Sequence, residues 1–270
     1  MEVIKKIEVF GDSILRGIQL NVQNMRYHIS NNIDLDMLSK KFSLNIVNHS
    51  RFGCTVTKGG RNLKKFLAEG GSCDAVVMDF GGNDCDYDWK QISDHPEAEH
   101  NPNTPMNTFI DTYLDIIKTL TDSGIKPILT NLPPLEPQKF FDWFCGGFNK
   151  ANIMSWLGDV NAIYRHQEQY SRNVEKIASE TGSPIVDLRG AFLEHKNIGK
   201  LLCEDGIHPN TAGQKVITQA FDKFAADYFD NTKQILCLTK KSPPLALRLQ
   251  RRPDTITQYP HGEERRCIIN

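Results

Sequence analysis

Five short apolar runs constrain the fold of this chain more than any other feature of its sequence. They are rich in Val, Ile, Leu and Phe, which is typical of strands buried on both faces of a parallel sheet. The runs are Ile7–Phe10, Leu44–Val47, Ala75–Phe80, Pro127–Leu132 and Pro184–Val186. Amphipathic stretches separate them, and this alternation predicts an α/β protein with a five-stranded parallel sheet.

Three of the intervening stretches carry apolar residues at helical spacing. The first includes Phe109, Tyr113 and Ile117 and is expected to end at Gly124, where glycine can terminate the helix. The second runs through Ile163 and is expected to end at Gly182. The third is predicted from about residue 210 to about residue 229. Helices placed in this order cover both sides of a parallel sheet.

Charge divides the chain into two parts. The 270 residues carry a formal net charge of −1, but residues 231–270 hold eight basic and three acidic residues. The sequence therefore predicts an acidic domain over 1–230 and a basic tail over 231–270. The tail can be a poorly ordered terminus, a segment docked on the body or on a neighbouring subunit, or a basic arm that touches nucleic acid or an anionic membrane.

Composition and cysteine usage indicate an ordinary globular protein. No apolar run approaches the roughly 20 residues of a membrane-spanning helix, and the stretch Met1–Phe10 lacks the unbroken apolar core of a signal peptide. Seven scattered cysteines without a C-x-x-C pair are typical of reduced thiols. We expect a cytoplasmic location and no nucleic-acid partner, and the oligomeric state stays open.

Polar residues follow the predicted strands. Gly11-Asp12-Ser13 comes after the first strand, a segment ending in Gly53 after the second, and Gly81-Gly82-Asn83-Asp84 after the third. The fifth strand leads to Asp205-Gly206-Ile207-His208. Because ligands bind at the carboxyl ends of parallel strands, we expect these segments to meet in one site.

The residue types suit nucleophilic catalysis. A serine hydroxyl needs a base within hydrogen-bond reach, and the base needs a group that fixes its tautomer, so Ser13, His208 and Asp205 form a candidate triad. The backbone N–H groups of Ser13 and Gly53 and the Asn83 amide are candidate donors to an oxyanion. Each segment alone is also ordinary turn chemistry, and it is their combination at strand ends that favours a site.

The four segments resemble those of the SGNH or GDSL-type hydrolases. The resemblance lies in "VFGDSI", "HSRFGCTV", "DFGGNDCD" and "DGIHPN", with Ile14 in place of the family's leucine. It spans residues 5 to about 228 and implies a three-layer, flavodoxin-like α/β/α fold. It also implies Ser13 as nucleophile, His208 as general base and then acid, Asp205 as its orienter, and an oxyanion hole of Ser13, Gly53 and Asn83.

Other chemistries find no support in the sequence. There is no G-x-S-x-G around Ser13, and no G-x-G-x-x-G or P-loop after the first strand, so we expect no nucleotide cofactor. Residues 86–100 are rich in Asp, Glu and His, but their spacing fits no standard metal site. We interpret them as a solvated loop and expect no metal and no other cofactor.

Aromatic residues predict where the substrate binds. A long loop is expected after the fourth strand, and Trp143, Phe144 and Trp156 fall within it, while Trp89 follows the third strand. These four residues are the candidate substrate-binding residues, either as a lid or platform or as anchors that pack the loop on the sheet edge. Arg165 and His166 face either the pocket or solvent.

The sequence predicts a serine esterase that acts on a small-molecule ester. A short acyl group such as acetyl, on a small molecule or sugar, is favoured. A lysophospholipase or a thioesterase acting on longer acyl chains is the alternative within the same chemistry. A catalytically silent ligand-binding module is the alternative of another class.

Overall fold

A five-stranded parallel sheet forms the centre of the structure. The structure is a computed structural model that describes residues 4–241, with the backbone alone from residue 230 on. Within these residues the chain forms strands β1 (Lys6–Gly11), β2 (Ile18–Asn21), β3 (Arg26–Ile29), β4 (Asn45–Asn48), β5 (Ala75–Asp79), β6 (Lys126–Thr130) and β7 (Ile185–Val186). Strands β2 and β3 pair with each other as a separate antiparallel hairpin.

The strand order in the main sheet is β4-β1-β5-β6-β7, with every neighbouring pair parallel. The chain moves outward from β1 to β4 and then crosses back to β5 on the other side of β1. This is the flavodoxin-like order, in which ligands bind at the point where the winding reverses. The carboxyl ends of β1 and β5 flank that point.

Helices lie between and after the strands. They are α1 (Leu35–Phe42), α2 (Val56–Ala68), α3 (Trp89–Asp94), α4 (Met106–Asp122), α5 (Pro137–Phe144), α6 (Lys150–Leu157), α7 (Asn161–Thr181), α8 (Leu188–Leu193) and α9 (Thr211–Lys241). In the part of the chain described, no helix is long and apolar enough to cross a membrane.

The main core lies between the sheet and helices α2, α4 and α7. Leu63, Tyr113 and Val174, one from each helix, are buried against Val76 and Met78 of β5. Alternate strand residues point to opposite faces of a sheet. The intervening strand residues, such as the buried Val77 and Ile128, therefore face the other side.

The predicted α/β fold is confirmed, and all five predicted strands are present with ends shifted by one or two residues. The helices expected before Gly124 and Gly182 are also present, and both glycines have positive φ. The hairpin β2–β3 was not predicted, although Ile18, Leu20 and Val22 alternate with polar residues in the pattern of a strand.

The C-terminal helix is longer than predicted. It was expected to end near residue 229, but α9 continues to Lys241, through the first residues that we assigned to the basic tail. Residues 242–270 lie outside the described part of the chain. The division into a domain over 1–230 and a basic tail over 231–270 therefore stays a prediction.

Candidate active site

Ser13, His208 and Asp205 lie in a hydrogen-bonded row. His208 Nε2 is 2.9 Å from Ser13 Oγ, and His208 Nδ1 is 2.8 Å from Asp205 Oδ2. All three side chains are buried. The imidazole can therefore exchange a proton with the hydroxyl on one side while the carboxylate fixes its tautomer on the other.

The loop that carries Asp205 and His208 is held by its own backbone. Asp205 Oδ1 accepts hydrogen bonds from the N–H groups of Ile207 and His208, at 3.1 and 3.0 Å. Cys203 N donates to the His208 carbonyl, and Asn210 accepts from Ala212 N at the start of α9. These contacts fix the backbone around His208 and so the orientation of its side chain.

The pKa of Asp205 is lowered from its usual 3.8. Burial raises it, but the hydrogen bond with His208, the charge of that ring and the two backbone N–H donors together outweigh burial. Asp205 is therefore ionised at neutral pH and stabilises a positive charge on His208.

Two backbone N–H groups near Ser13 have no acceptor among residues 4–229. They belong to Ser13 itself, after β1, and to Gly53, in the loop after β4. Gly53 has φ +68°, and an added Cβ would meet nothing within 4 Å. Its left-handed backbone conformation, and not a lack of space for a side chain, is therefore what favours glycine at this position.

Asn83 supplies a side-chain amide beside the same site. Its Nδ2 donates to Asp12 Oδ2 at 3.0 Å and makes a longer contact, 3.4 Å, with the carbonyl of Cys54. Asn103 Nδ2 donates to the Asn83 carbonyl and holds the turn from the other side. The amide is thus fixed in position, with one weakly bonded hydrogen available to a stronger acceptor.

Three buried carboxyl groups, which we call the carboxylate floor, lie near the ends of β1 and β5: Asp12, Asp79 and Asp84. Burial raises the pKa of all three; in Asp12 the negative charge of Asp79 adds to the effect. The pKa of Asp84 rises to about 6, although it accepts hydrogen bonds from Val56 N at the start of α2. None of the three forms an ion pair with a described side chain.

A cavity of about 490 Å³ opens beside Ser13 and His208. All four aromatic residues predicted to bind substrate line it. They are Trp89, Trp143, Phe144 and Trp156. The predicted long loop is instead largely helical, because residues 137–157 form α5 and α6 with a short 3₁₀ turn between them. The rings both pack the insertion together and line the cavity.

The triad loop packs against α5 through a glycine. Gly206 has φ +73°, and a Cβ there would lie 2.6 Å from Phe140 N and 2.7 Å from the Glu136 carbonyl. Glu136 N donates to the Gly206 carbonyl at 2.8 Å. The aromatic helix and the catalytic loop are therefore positioned by the same contact.

Sequence reasoning missed two aromatic neighbours of His208. The Tyr27 ring, from β3, lies 5.0 Å from the imidazole, and the Phe52 ring stacks on it at 5.9 Å. Burial, followed by the negative charge of Asp205, raises the pKa of Tyr27. Phe52 directly precedes Gly53, so its position in the sequence could have indicated that it lies near the site. The position of Tyr27 could not, because it is set by the hairpin that was not predicted.

The acidic segment was also partly misread. Residues 89–94 form α3 rather than a solvated loop, and Asp86 lines the cavity. Of the two residues left open, His166 lines the cavity, whereas Arg165 is exposed and pairs with Asp159 at 2.7 Å. Among the described residues, no group of three or more His, Cys, Asp or Glu side chains is placed to hold a metal ion.

Comparisons with known proteins bear on the family and the fold. The sequence model of the GDSL-like lipase/acylhydrolase family matches residues 9–216. A comparison with curated proteins gives no match.

Solved structures share the fold at low sequence identity. One is a lipase/acylhydrolase from Enterococcus faecalis, 19% identical with a TM-score of 0.57, over 83% of this chain and 97% of that chain. Another is a catalytic mutant of an acetylxylan esterase from Geobacillus stearothermophilus, 20% identical with a TM-score of 0.59, over 83% and 96%. A third is an alpha/beta hydrolase from the metagenome of Lake Arreo, Spain, 23% identical with a TM-score of 0.56, over 82% and 95%.

Proposed function

Because the chain belongs to the GDSL-like lipase/acylhydrolase family, we propose that Ser13, His208 and Asp205 are its catalytic triad and hydrolyse a carboxylic ester. The continuous hydrogen-bonded row from Ser13 Oγ through the imidazole to the Asp205 carboxylate carries this proposal. Such a row is what an alcohol nucleophile of ordinary pKa requires.

In the acylation step, Ser13 Oγ attacks the ester carbonyl while His208 Nε2 takes its proton. The imidazolium that forms is stabilised by Asp205, which remains ionised. Collapse of the tetrahedral intermediate breaks the bond to the leaving alcohol, and His208 returns the proton to that oxygen. The acyl group is then bound to Ser13 as an ester.

The oxyanion of the tetrahedral intermediate needs donors that are already in place. The N–H groups of Ser13 and Gly53 are unpartnered among the described residues, and the Asn83 amide is fixed by Asp12. We assign these three groups to the oxyanion hole. The 3.4 Å contact from Asn83 to Cys54 is the one that the oxyanion replaces.

Deacylation repeats the chemistry with water. His208 removes a proton from a water molecule, which attacks the acyl carbonyl, and the same three donors stabilise the second oxyanion. His208 then protonates Ser13 Oγ as the acid leaves, and the free enzyme is regenerated.

A short acyl group, acetyl above all, on a small molecule or sugar is the proposed substrate. Support comes from the acetylxylan esterase that shares the fold and from the crowding of His208 by the Tyr27 and Phe52 rings. Among the described residues, no Lys or Arg lines the cavity, which disfavours substrates that carry phosphate or another anionic group.

Hydrolysis of longer acyl chains is the second candidate. The largely aromatic and aliphatic lining of the cavity favours it, since Phe140, Leu135 and Ile163 offer apolar surface for a chain. The same absence of lining Lys and Arg disfavours the anionic head groups of lysophospholipids and of coenzyme A thioesters.

An acyl-length series separates the two candidates. We expect the kcat/KM of p-nitrophenyl esters from two to twelve carbons to be highest at two to four, with acetylated sugars also hydrolysed. The Ser13→Ala variant gives the background rate for each ester. A maximum at eight carbons or more would replace the acetyl proposal with the longer-chain one.

A further inference from the structure

Asp86 is a carboxylate of the cavity that belongs neither to the proposed triad and oxyanion hole nor to the carboxylate floor. Asp86 lines the cavity and is partly buried, and its Oδ1 accepts a hydrogen bond from Trp89 Nε1 at 2.8 Å. Among the side chains described, no Lys, Arg or His pairs with it. Burial raises the pKa of Asp86 to about 6, so it is still largely ionised at neutral pH. A buried charge without a counter-ion is costly, which makes this group receptive to a cation.

Three aromatic residues line the same cavity as this carboxylate, and one of them, Trp89, contacts it through its indole N–H. The ring centroid of Tyr87 lies 5.6 Å from that of Trp89 and 5.0 Å from that of Trp156, and the two indole centroids are 6.3 Å apart. The ring planes of each pair are inclined by more than 60°. All three residues line the cavity together with Asp86. We call these four residues the aromatic cage. Rings presented to a partly desolvated space attract an organic cation through their π faces.

No positive charge competes for this position. Within residues 4–229, the cavity lining contains neither Lys nor Arg, and its histidines are the triad's His208 and His166. Burial lowers the pKa of His166, whose ring lies 5.0 Å from that of Tyr87. His166 is therefore neutral at pH 7 and does not repel a cation.

We propose that the aromatic cage binds a positively charged alkylammonium group of the substrate, with Asp86 as its counter-ion. This inference rests on the proposed ester hydrolysis and names the substrate class: esters that carry such a cation. The Trp89 indole N–H holds the carboxylate in place. The rings add a cation–π attraction, which favours an alkylammonium group over a compact, strongly hydrated ion. Asp86, Tyr87, Trp89 and Trp156 are then specificity-determining residues.

The test compares two probes of the same shape and different charge. Choline and dimethylbutanol, its uncharged carbon isostere, are each measured as inhibitors of p-nitrophenyl acetate hydrolysis. We expect choline to bind about tenfold more tightly or better, which is the effect of a desolvated cation–π contact. Equal inhibition by the two probes, or tighter binding of the isostere, overturns the proposal.

Asp86→Asn tests the carboxylate itself. Asparagine keeps an acceptor for the Trp89 indole, so the cage geometry is retained while the charge is removed. We expect the ratio of choline affinity to isostere affinity to fall by about tenfold in this variant. Glu97→Gln, which removes an exposed carboxylate outside the cavity lining, is the matched control and leaves the ratio unchanged. A ratio that Asp86→Asn does not change contradicts the assignment of Asp86.

Direct binding to the Ser13→Ala variant, followed by tryptophan fluorescence, separates this proposal from the proposed function. If no ester is hydrolysed by the wild type but choline still binds in preference to its isostere, the esterase proposal fails and the cation site stands. If esters are hydrolysed but neither probe is distinguished, the esterase proposal stands and the cation site fails.

Discussion

The catalytic loop, which carries Asp205 and His208, and the carboxylate floor contain the same chemical group with pKa values shifted in opposite directions. Asp205, in the loop, is bonded to the His208 imidazole and two backbone N–H groups, and its pKa is lowered. Asp12, Asp79 and Asp84, in the floor, are equally buried but have no cationic partner among the described side chains, and their pKa values are raised.

The difference shows that burial alone does not determine how these carboxyl groups behave. Burial raises the pKa in every case. The hydrogen bonds that the floor carboxyl groups accept do not outweigh burial, whereas in Asp205 the hydrogen bond and charge of His208, together with two backbone N–H donors, reverse the effect. The charge of Asp205 is thus kept for catalysis, while the floor carboxyl groups hold the turns around it through hydrogen bonds to Asn83, Leu15 and Val56.

The largest effect on kcat is expected in the catalytic loop. Asp205→Asn removes the charge that stabilises the imidazolium and should lower kcat by about 10⁴-fold, as loss of a triad carboxylate does elsewhere. Steady-state hydrolysis of p-nitrophenyl acetate measures this. Glu204→Gln, at the neighbouring exposed position, is the control and should retain wild-type kcat. A loss of less than tenfold in Asp205→Asn would mean that the two regions do not differ in function.

A smaller effect is expected where the floor meets the site. Asn83→Ala removes the amide that Asp12 holds and should lower kcat by about 10² to 10³-fold. KM should change little, because the negative charge of the oxyanion develops in the transition state and is absent from the bound substrate. Asn173→Ala, at a partly exposed position of α7, serves as control. A raised KM with kcat unchanged would argue that Asn83 binds substrate instead of stabilising the oxyanion.

The smallest effect, on stability, is expected in the floor itself. The pKa of Asp84 is about 6 in the folded protein against a usual 3.8, so the folded state holds this proton more tightly than the unfolded state does. The contribution of Asp84 to the free energy of unfolding therefore falls as the pH rises from about 4 to about 6, and it changes little at higher pH.

Asp84→Asn removes this dependence, since asparagine does not ionise. Relative to wild type, the variant should gain about 2 kcal/mol between about pH 4 and pH 7. Urea unfolding of both proteins at the two pH values measures it, and carboxyl groups common to both cancel in the difference. A difference that stays constant with pH would show that Asp84 does not titrate in this range.

The parts of the molecule that sequence could predict are those set by local pattern. Buried parallel strands are continuous apolar runs, and the rule that sites form at strand ends brings Ser13, Asn83 and Gly53 to one edge without any knowledge of side-chain contacts. His208 and Asp205 are three residues apart on one loop, so their pairing is also nearly local.

Other parts depend on side-chain contacts that the sequence does not show. From the sequence, Asp86 is one more acidic residue of its segment; the structure shows that Trp89, three residues ahead, donates a hydrogen bond to it. The aromatic insertion, residues 137–157, is predicted as a loop because its aromatic residues do not recur at helical spacing. In the structure, the contact between Gly206 and Glu136 fixes α5 against the catalytic loop. Tyr27 reaches His208 only through a hairpin whose turn lacks glycine.

Labelling with a fluorophosphonate probe tests the central claim most directly, because the probe reacts covalently only with an activated serine. The account predicts that wild type is labelled once, at Ser13 in a mapped peptide, that His208→Ala labels far more slowly, and that Ser13→Ala is not labelled although it unfolds at a similar temperature. Absence of labelling in wild type, or labelling that persists in Ser13→Ala, would contradict Ser13 as the nucleophile.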